Sequence, residues 1–351
     1  MAGLGWMRLR AVPVLLLLGL VAVASLVVVS GGRERSVGRR LLCERVRSSR
    51  LAYGWPVRPF DRQHPVRGYF GDPRTVSSVG LGRDHSGSPG SFTFHNGVDI
   101  SAPPGTPVYA VVSGIAKVAS RDLVVVTTRD GRVFQYAHIS PLVTTGETVV
   151  ADRTVLGPVG RGRKWQHVHL AEIDHSRAHN PLDPGHLEPY RDATVPKVMN
   201  VTFTSRNGEA LEATELSGDV LIAVSAIDVP PVPVPGHWFG FPVTPALVRW
   251  RMTSNTGTVI PETTIADFRH TEPKNRNFWR TYAAGAYENF PLFHHHFYWH
   301  HAGNYLFNLT PKALDTHRLR NGTYVVTIQV ADTCGNHSST IKHLQVENKP
   351  S

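Results

Sequence analysis

The chain begins with a long apolar run and continues in short segments whose hydrophobic residues alternate with polar ones. Residues 11–30 carry no charge and form a run of about 20 residues, the length that a helix needs to span a bilayer. The run also contains Ala22-Val23-Ala24, an A-x-A pattern typical of signal-peptidase sites. We therefore predict an N-terminal hydrophobic helix within residues 1–32 that is either a cleaved signal peptide or a membrane anchor.

The segment 123–140, LVVVTTRDGRVFQYAHIS, predicts a β-hairpin. Its Asp130-Gly131 dipeptide is favoured in two-residue hairpin turns. In the second strand Phe134, Tyr136 and His138 fall on one face, because successive side chains of a strand point to opposite faces. A histidine on such a face is ordinarily a hydrogen-bonded core residue, so His138 alone is weak support for chemistry.

Beyond residue 196 the chain consists of separated runs of strand type. In the clearest of them, 321–332 (NGTYVVTIQVAD), hydrophobic residues alternate with period two. Several such runs with turn signals between them, and no long helical stretch, predict an antiparallel β-sandwich of immunoglobulin-like type over residues 197–349. This length exceeds the usual size of about 100 residues, so we expect an insertion at 266–304. A short linker at 192–196 would precede the sandwich.

Length and charge narrow the classes of function. A chain of 351 residues is long enough for two domains with separate cores. The formal net charge is +10, but residues 1–50 hold nine arginines against Glu34 and Glu44 and so contribute +7 of it. The remainder is only mildly basic, and we therefore expect no nucleic-acid partner. Residues 33–65 are interpreted as a basic N-terminal segment and linker.

Five dispersed polar residues together look like a zinc hydrolase site: His95, Asp99, His138, His167 and His169. His167 and His169 are two positions apart and would point to the same face of a strand. His95 and Asp99 enclose an Asn-Gly turn signal, so we place them on a turn that runs into a strand. Two imidazoles and one carboxylate suit zinc, and three protein ligands leave the fourth tetrahedral position for water.

Simpler interpretations exist for each part of this pattern. A lone HxH or HxxxD pair arises often by chance in a chain with 19 histidines. The segment 293–301 (FHHHFYWHH) is also rich in histidine, but neighbouring histidines alternate faces in a strand and no carboxylate is close by. We expect aromatic packing there rather than metal, with a glycan-binding surface as the alternative. Cys43 and Cys334 could pair in an oxidising compartment or remain two free thiols.

The order of short motifs between residues 66 and 190 resembles the lysostaphin-type zinc metallopeptidases, which cut peptide cross-links of bacterial peptidoglycan. The motifs are GYFGDPR (68–74), FHNGVDISAPPGTPVYAVVSG (94–114), YAHIS (136–140), GETV (146–149), LGPVG (156–160), HVH (167–169) and NPLDP (180–184). They cover just over a third of the chain. The ending 321–346 resembles the last hairpin of bacterial immunoglobulin-like modules.

The first resemblance implies a zinc metallopeptidase domain of antiparallel β-sheet over residues 66–192, with His95, Asp99 and His169 as the zinc ligands. His138 and His167 would then be the catalytic pair, one taking a proton from the attacking water and the other hydrogen-bonding the developing oxyanion. The implied cofactor is Zn²⁺ and the implied partners are peptidoglycan peptides. Such an enzyme would be exported to the cell envelope, either secreted or anchored by the uncleaved apolar run. The oligomeric state stays open.

Two departures from the family pattern affect the expected substrate more than the expected chemistry. A bulky cationic run at 161–166 (RGRKWQ) replaces the small residues usual before HxH, and Ala171 stands where the family has a glutamate, with Glu172 displaced by one. A long Gly/Ser-rich segment at 72–93 is expected to be a loop at the groove. The alternative function is a catalytically silent wall-binding or regulatory protein, although such proteins usually lose ligands and all five positions persist here.

Overall fold

The computed structural model describes Cys43 and residues 51–76, 91–161, 166–290, 292–293, 296–298 and 300–349. The predicted N-terminal hydrophobic helix lies outside these residues, as do most of the basic segment and the centres of the Gly/Ser-rich and cationic runs. Among the described residues no helix is both long and apolar enough to cross a membrane. The described chain is mostly β, which confirms the predicted fold class.

A twisted antiparallel sheet dominates the first half of the described chain. The strands of this half are β1 (Val66–Gly68), β2 (Pro73–Val76), β3 (Ser91–Phe94), β4 (Val98–Ser101), β5 (Pro107–Tyr109), β6 (Gly114–Ser120), β7 (Leu123–Thr127), β8 (Val133–Ala137), β9 (Thr148–Val149), β10 (Val155–Pro158), β11 (His167–Asp174) and β12 (Arg177–His179). The large sheet has the order β1-β4-β11-β8-β7-β6-β9, with β12 also paired to β11. Two small sheets, β2-β3 and β5-β10, complete this half. The central strands β4, β11 and β8 are therefore immediate neighbours.

The predicted hairpin is confirmed as strands β7 and β8, joined by a turn that contains Asp130-Gly131. Gly131 has a φ of 91°, a left-handed conformation that glycine adopts without steric cost. Phe134 and Tyr136 are fully buried on one face of β8, as the period-two pattern predicts. The alternation does not extend to His138, which follows β8 with a left-handed φ of 66°. Its ring lies beside those of His167 and His169, on the face of β8 opposite to Phe134 and Tyr136, so the predicted shared face is wrong for this residue.

Two four-stranded antiparallel sheets form the second half. Its strands are β13 (Lys197–Ser205), β14 (Asp219–Ile227), β15 (Leu247–Ser254), β16 (Gly257–Asp267), β17 (Leu292–Phe293), β18 (His296–Phe297), β19 (Leu306–Asn308), β20 (Leu314–Asp315), β21 (Gly322–Ala331) and β22 (His337–Val346). The helical elements are α1 (Phe278–Thr281) and three 3₁₀ turns at Gly236–Trp238, Asn275–Asn277 and Thr316–Arg318. One sheet has the order β13-β14-β19 with β20 also on β14, and the other has the order β16-β15-β21-β22.

The strands predicted beyond residue 196 are confirmed, whereas the immunoglobulin-like type and the 266–304 insertion stay predictions. Val224 of one sheet and Val326 of the other are fully buried in the same hydrophobic core. The chain between β16 and β19 holds α1 and the short β17–β18 pair, within the segment where an insertion is expected. The described residues from Cys43 onward belong to one compact unit, so the boundary predicted at 192–196 also stays a prediction.

Aromatic side chains join the cores of the two halves next to the predicted site. The ring of Phe94, the last residue of β3, lies 5.3 Å from the ring of Phe278 and 5.6 Å from that of Phe268. Tyr282 packs against Phe94 as well, and its hydroxyl donates a hydrogen bond of 2.7 Å to the carbonyl of Gly71. His95 follows Phe94 directly, so this shared core fixes the backbone that carries the first candidate ligand.

A disulfide between Cys43 and Cys334 resolves the two alternatives that the sequence leaves open. The two Cα atoms are 5.0 Å apart, and the bond closes a chain separation of 291 residues. Cys334 is buried in the turn between β21 and β22. The bond therefore ties the chain before the first domain to the end of the second half.

We expect Cys334→Ser to lower the free energy of unfolding by about 2–5 kcal/mol, because it removes a covalent restraint on the unfolded chain. Thermal unfolding followed by circular dichroism measures the loss. The double variant Cys43→Ser/Cys334→Ser is the control and should lose no more than the single variant, since the bond acts as a unit. Two titratable thiols in the denatured, unreduced wild-type protein would contradict the pairing.

Candidate metal and catalytic site

Strand register brings the five predicted site residues together. Asp99 on β4 stands opposite His169 on β11, and His169 stands opposite Ala137 on β8. His138 follows Ala137 directly, and His95 lies three positions before the first residue of β4. Because neighbouring strands lie about 4.8 Å apart, side chains at paired positions on one face meet over the same spot.

Three of the five residues form a group that can hold a metal ion: His95, Asp99 and His169. Nε2 of His95 lies 2.9 Å from Nδ1 of His169 and 3.2 Å from Oδ1 of Asp99, and the latter two atoms are 3.1 Å apart. Ligands of a tetrahedral zinc with bonds of about 2.0–2.2 Å lie about 3.3 Å apart. The three donor atoms are therefore close to the spacing that such an ion requires.

The backbone around His95 fixes the orientation of its ring. Nδ1 of His95 donates a hydrogen bond of 2.8 Å to the carbonyl of Tyr69, which leaves the lone pair of Nε2 facing His169 and Asp99. Gly97 makes the turn between His95 and Asp99 possible, since a Cβ there would overlap the Leu170 carbonyl oxygen and lie 2.9 Å from the His169 ring. The predicted turn running into a strand is present as the chain from β3 to β4.

His138 and His167, the predicted catalytic pair, lie side by side next to this group. Their ring centroids are 4.7 Å apart, and the His138 ring lies 6.4 Å from that of His169. Nε2 of His167 is 3.7 Å from Oδ1 of Asp99. His138 has a φ of 66°, a left-handed conformation that is costly for a residue other than glycine and tends to occur at functional sites.

Burial keeps three of the imidazoles, those of His95, His138 and His167, neutral, and two arginines keep the carboxylate charged. Desolvation lowers the pKa of His95 and of His138 to about 3, and it lowers the pKa of His167 well below its usual value. Burial alone would raise the pKa of Asp99, but the guanidiniums of Arg67 and Arg74 outweigh it and hold that pKa well below its usual range. Neutral imidazole nitrogens and an ionised carboxylate are the forms that bind metal.

The two arginines on Asp99 are functional residues that the sequence reasoning missed. The guanidinium nitrogens of Arg67 and Arg74 lie 2.7 Å and 2.6 Å from Oδ2 of Asp99, and all of Arg67 is buried. This pairing leaves Oδ1 to face the imidazoles. Their position could have drawn attention to them, because Arg67 precedes the GYFGDPR motif and Arg74 ends it. No sequence pattern, however, predicts which carboxylate an arginine will pair with.

Residues from the second half complete the surroundings of Arg67. The carboxylate of Glu288 lies 3.6 Å from Arg67 and 3.2 Å from Arg74. The side-chain amide of Asn289 donates a hydrogen bond of 2.6 Å to the Arg67 carbonyl. The Arg67 guanidinium also lies about 5 Å from the ring centroids of two aromatic residues, Trp238 and Phe290. The second half therefore contacts the site indirectly, through the two arginines that pair with Asp99.

Glu172 and the described residues of the histidine-rich segment 293–301 lie outside the metal group. Glu172 is buried and accepts hydrogen bonds from the Tyr53 hydroxyl at 2.9 Å and from Nδ1 of His186 at 2.7 Å. It holds the start of the described chain against the sheet. In the histidine-rich segment, the rings of Tyr298 and His301 lie 5.4 Å apart. Among the described residues this segment contributes to no metal-binding group.

Comparison with known proteins shows that the segment carrying these residues is similar to a peptidase family. Residues 93–184 match the family model described as Peptidase family M23, and all five site positions fall within this range. No curated protein matches the chain at a significant level.

Several solved structures are similar to this chain. A zinc-containing peptidase from Vibrio cholerae is 23% identical over 37% of this chain and 39% of its own, with a TM-score of 0.28. The catalytic domain of the antimicrobial peptidase lysostaphin from Staphylococcus simulans is 24% identical over 33% of this chain and 87% of its own (TM-score 0.25). The catalytic domain of a prophage-encoded M23 protein from Enterococcus faecalis is 27% identical over 32% of this chain and 93% of its own, with a TM-score of 0.23. The chain thus spans about two fifths of the Vibrio protein.

We expect Arg74→Gln to weaken metal binding by about 10–100-fold, because Asp99 loses one of the two charges that keep it ionised and oriented. Competition with a chromophoric zinc chelator measures the affinity. Arg62→Gln is the matched control, since Arg62 is an exposed arginine of the same half. Equal zinc affinities for Arg74→Gln and the wild-type protein would show that the Arg74 contact does not support the metal group.

Proposed function

We propose that this chain, whose residues 93–184 match Peptidase family M23, is a zinc-dependent endopeptidase that hydrolyses peptide cross-links of bacterial peptidoglycan. The single observation that carries the proposal is the geometry at the centre of the sheet. Two imidazole nitrogens and a carboxylate oxygen lie within 3.2 Å of one another, with two further imidazoles beside them.

Zinc is the metal that this donor set favours. His95 and His169 offer nitrogen and Asp99 offers one oxygen, which suits a borderline divalent ion better than a hard ion such as calcium. When bound, zinc would lower the pKa of its water toward about 7 and polarise the scissile carbonyl. A ligand set of three protein residues matches the open sites of hydrolases rather than the closed four-ligand sites of structural zinc.

The protein's own residues would handle the proton. Nε2 of His167 lies 3.4 Å from the Arg67 guanidinium, whose charge opposes protonation of His167. His138 is less deeply buried than His167. We therefore assign proton uptake from the attacking water to His138. His167 would stay neutral and donate a hydrogen bond to the oxyanion, an interaction of the kind that is worth about 3 kcal/mol in other hydrolases.

The proposed location is the cell envelope, and the proposed partners are peptidoglycan peptides. The apolar run 11–30 supports export, and so does the Cys43–Cys334 disulfide, because such bonds persist in oxidising compartments. If the run stays uncleaved, it would also hold the protein at the membrane.

We expect His138→Ala to abolish hydrolysis while zinc is retained, because His138 lies outside the metal group. His169→Ala should lose both zinc and hydrolysis, since it removes a ligand. Clearing of purified peptidoglycan sacculi measures the activity, metal analysis of the purified variants measures zinc, and mass spectrometry of the released muropeptides identifies the bond cut. His175→Ala is the matched control, because His175 is exposed in the same half.

Two outcomes would contradict the proposal in different ways. Clearing of sacculi by His138→Ala at the wild-type rate would overturn the role given to His138. Zinc-loaded wild-type protein that binds sacculi but releases no muropeptides from walls of differing cross-link chemistry would favour the silent wall-binding alternative.

A further inference from the structure

Three aspartates converge in the interior, away from the peptidase site. Asp192, Asp228 and Asp332 are each at most 4% exposed. One oxygen from each of them lies within 4.8 Å of the other two. They come from three separate places along the chain: Asp192 starts the segment after the first half, Asp228 follows β14, and Asp332 follows β21.

Hydrogen bonds hold two of these side chains in fixed positions. Asp192 accepts hydrogen bonds from the Thr194 amide at 2.8 Å and from the Tyr190 hydroxyl at 3.1 Å. Asp332 accepts bonds from the Asn336 amide at 2.8 Å and from the Asn336 side chain at 2.6 Å. The carboxylates are therefore oriented by their surroundings rather than free to turn away from each other.

Asp228 differs, because one of its oxygens is buried without any partner. Its Oδ1 accepts a hydrogen bond from the Val229 amide at 2.8 Å, but its Oδ2 accepts none from the described residues. A buried oxygen left in this condition costs about 1–3 kcal/mol, more when the group is charged. The Oδ2 atom is therefore available to a ligand at this place.

The space and the charge around Asp228 fit a cation. A small cavity of about 10 Å³, lined by Asp228, Asp332, Asn180 and Thr244 among others, lies beside the cluster. This volume accommodates about one water or one ion. Among the described residues, no lysine, arginine or histidine forms an ion pair with any of the three aspartates. Three buried carboxylates without a counter-charge are strongly unfavourable.

We propose that Asp192, Asp228 and Asp332 bind a calcium ion that braces the junction between the two halves of the chain. The inference goes beyond the proposed peptidase function and concerns different residues. Oxygen-only donors exclude zinc as the preferred ion and favour a hard cation. Calcium fits better than magnesium, because its longer bonds of about 2.3–2.6 Å span the separation of these oxygens and it tolerates irregular geometry.

The position of the site gives the ion a structural task. Asp192 belongs to the segment that leads into the second half. Its backbone carbonyl also accepts a 2.9 Å hydrogen bond from the side chain of Asn336. Asp332 is two residues from Cys334, the inner end of the disulfide. A bound calcium ion would therefore link three parts of the chain: the start of the second half, the end of β14 and the β21–β22 turn.

The test uses the full-length chain, purified in detergent, stripped of metal and reloaded with one equivalent of zinc. We expect added CaCl₂ to bind in a 1:1 ratio by titration calorimetry and to raise the melting temperature by roughly 5 °C at saturation. We also expect bound Tb³⁺ to luminesce on tyrosine excitation, because the Tyr190 hydroxyl contacts Asp192 directly.

Asp228→Asn and Asp332→Asn should each lose the calcium-dependent shift and weaken Ca²⁺ binding at least tenfold. Asparagine keeps the shape and removes the charge, so these variants should fold. Asp219→Asn is the matched control, since Asp219 is a partly exposed aspartate at the other end of β14, and it should behave as the wild type does. His169→Ala should lose zinc and keep the calcium response, which separates this site from the peptidase site.

The proposal would be overturned by a wild-type melting temperature that does not respond to calcium, or by variants that respond as the wild type does. An equal response to Mg²⁺ would overturn the choice of ion. If a variant fails to fold, the stoichiometry of Ca²⁺ and the Tb³⁺ luminescence of the wild-type chain decide the question alone. Absence of both would mean that the three carboxyl groups share protons instead.

Discussion

The buried carboxylate of Asp99 is held in place by two guanidiniums, and the arrangement of the candidate site depends on that pairing. An ionised carboxylate in the interior costs several kcal/mol unless charges compensate it. Arg67 and Arg74 supply that compensation at Oδ2, with distances of 2.7 Å and 2.6 Å. With Oδ2 engaged, Oδ1 is turned toward His95 and His169. Asp99 is therefore oriented as a one-oxygen ligand by the protein itself, with the ring nitrogens of His95 and His169 within 3.2 Å of that oxygen.

The same pairing makes the second half of the chain part of the site. Arg67 and Arg74 together carry two positive charges, and Asp99 alone supplies one negative charge. Glu288 lies 3.6 Å and 3.2 Å from the two arginines, and burial raises the pKa of its carboxyl to about 8, so it supplies a hydrogen-bonding oxygen more than a full second charge at neutral pH. The Arg67 side chain also packs against Trp238 and Phe290, which fixes where its guanidinium can lie. Residues about 200 positions away in the sequence thus contact both arginines that hold Asp99.

Local pattern predicted those features that depend on strand alternation and turn chemistry. The Asp130-Gly131 hairpin, the shared face of His167 and His169, and the late strand 322–331 follow from period two and from residues favoured in turns. Strand β16 was missed because it is a polar edge strand with Pro261 in its centre and lacks a buried face along most of its length. The contacts of Arg67, Glu288 and the three aspartates were missed for another reason. Each joins residues brought together only by tertiary packing, for which no spacing rule exists.

The two metal groups differ in the property that decides which ion binds. The group at His95, Asp99 and His169 offers two imidazole nitrogens and one oxygen, so it has one carboxylate and suits an ion that bonds well to nitrogen. The group at Asp192, Asp228 and Asp332 offers oxygen alone and up to three negative charges, which suits a hard ion with many oxygen ligands. Calcium would bond poorly to the imidazoles, whereas zinc would gain nothing from the extra carboxylates beyond its four positions. Each ion would therefore select its own site, and the junction could be braced without competing for the metal that the chemistry needs.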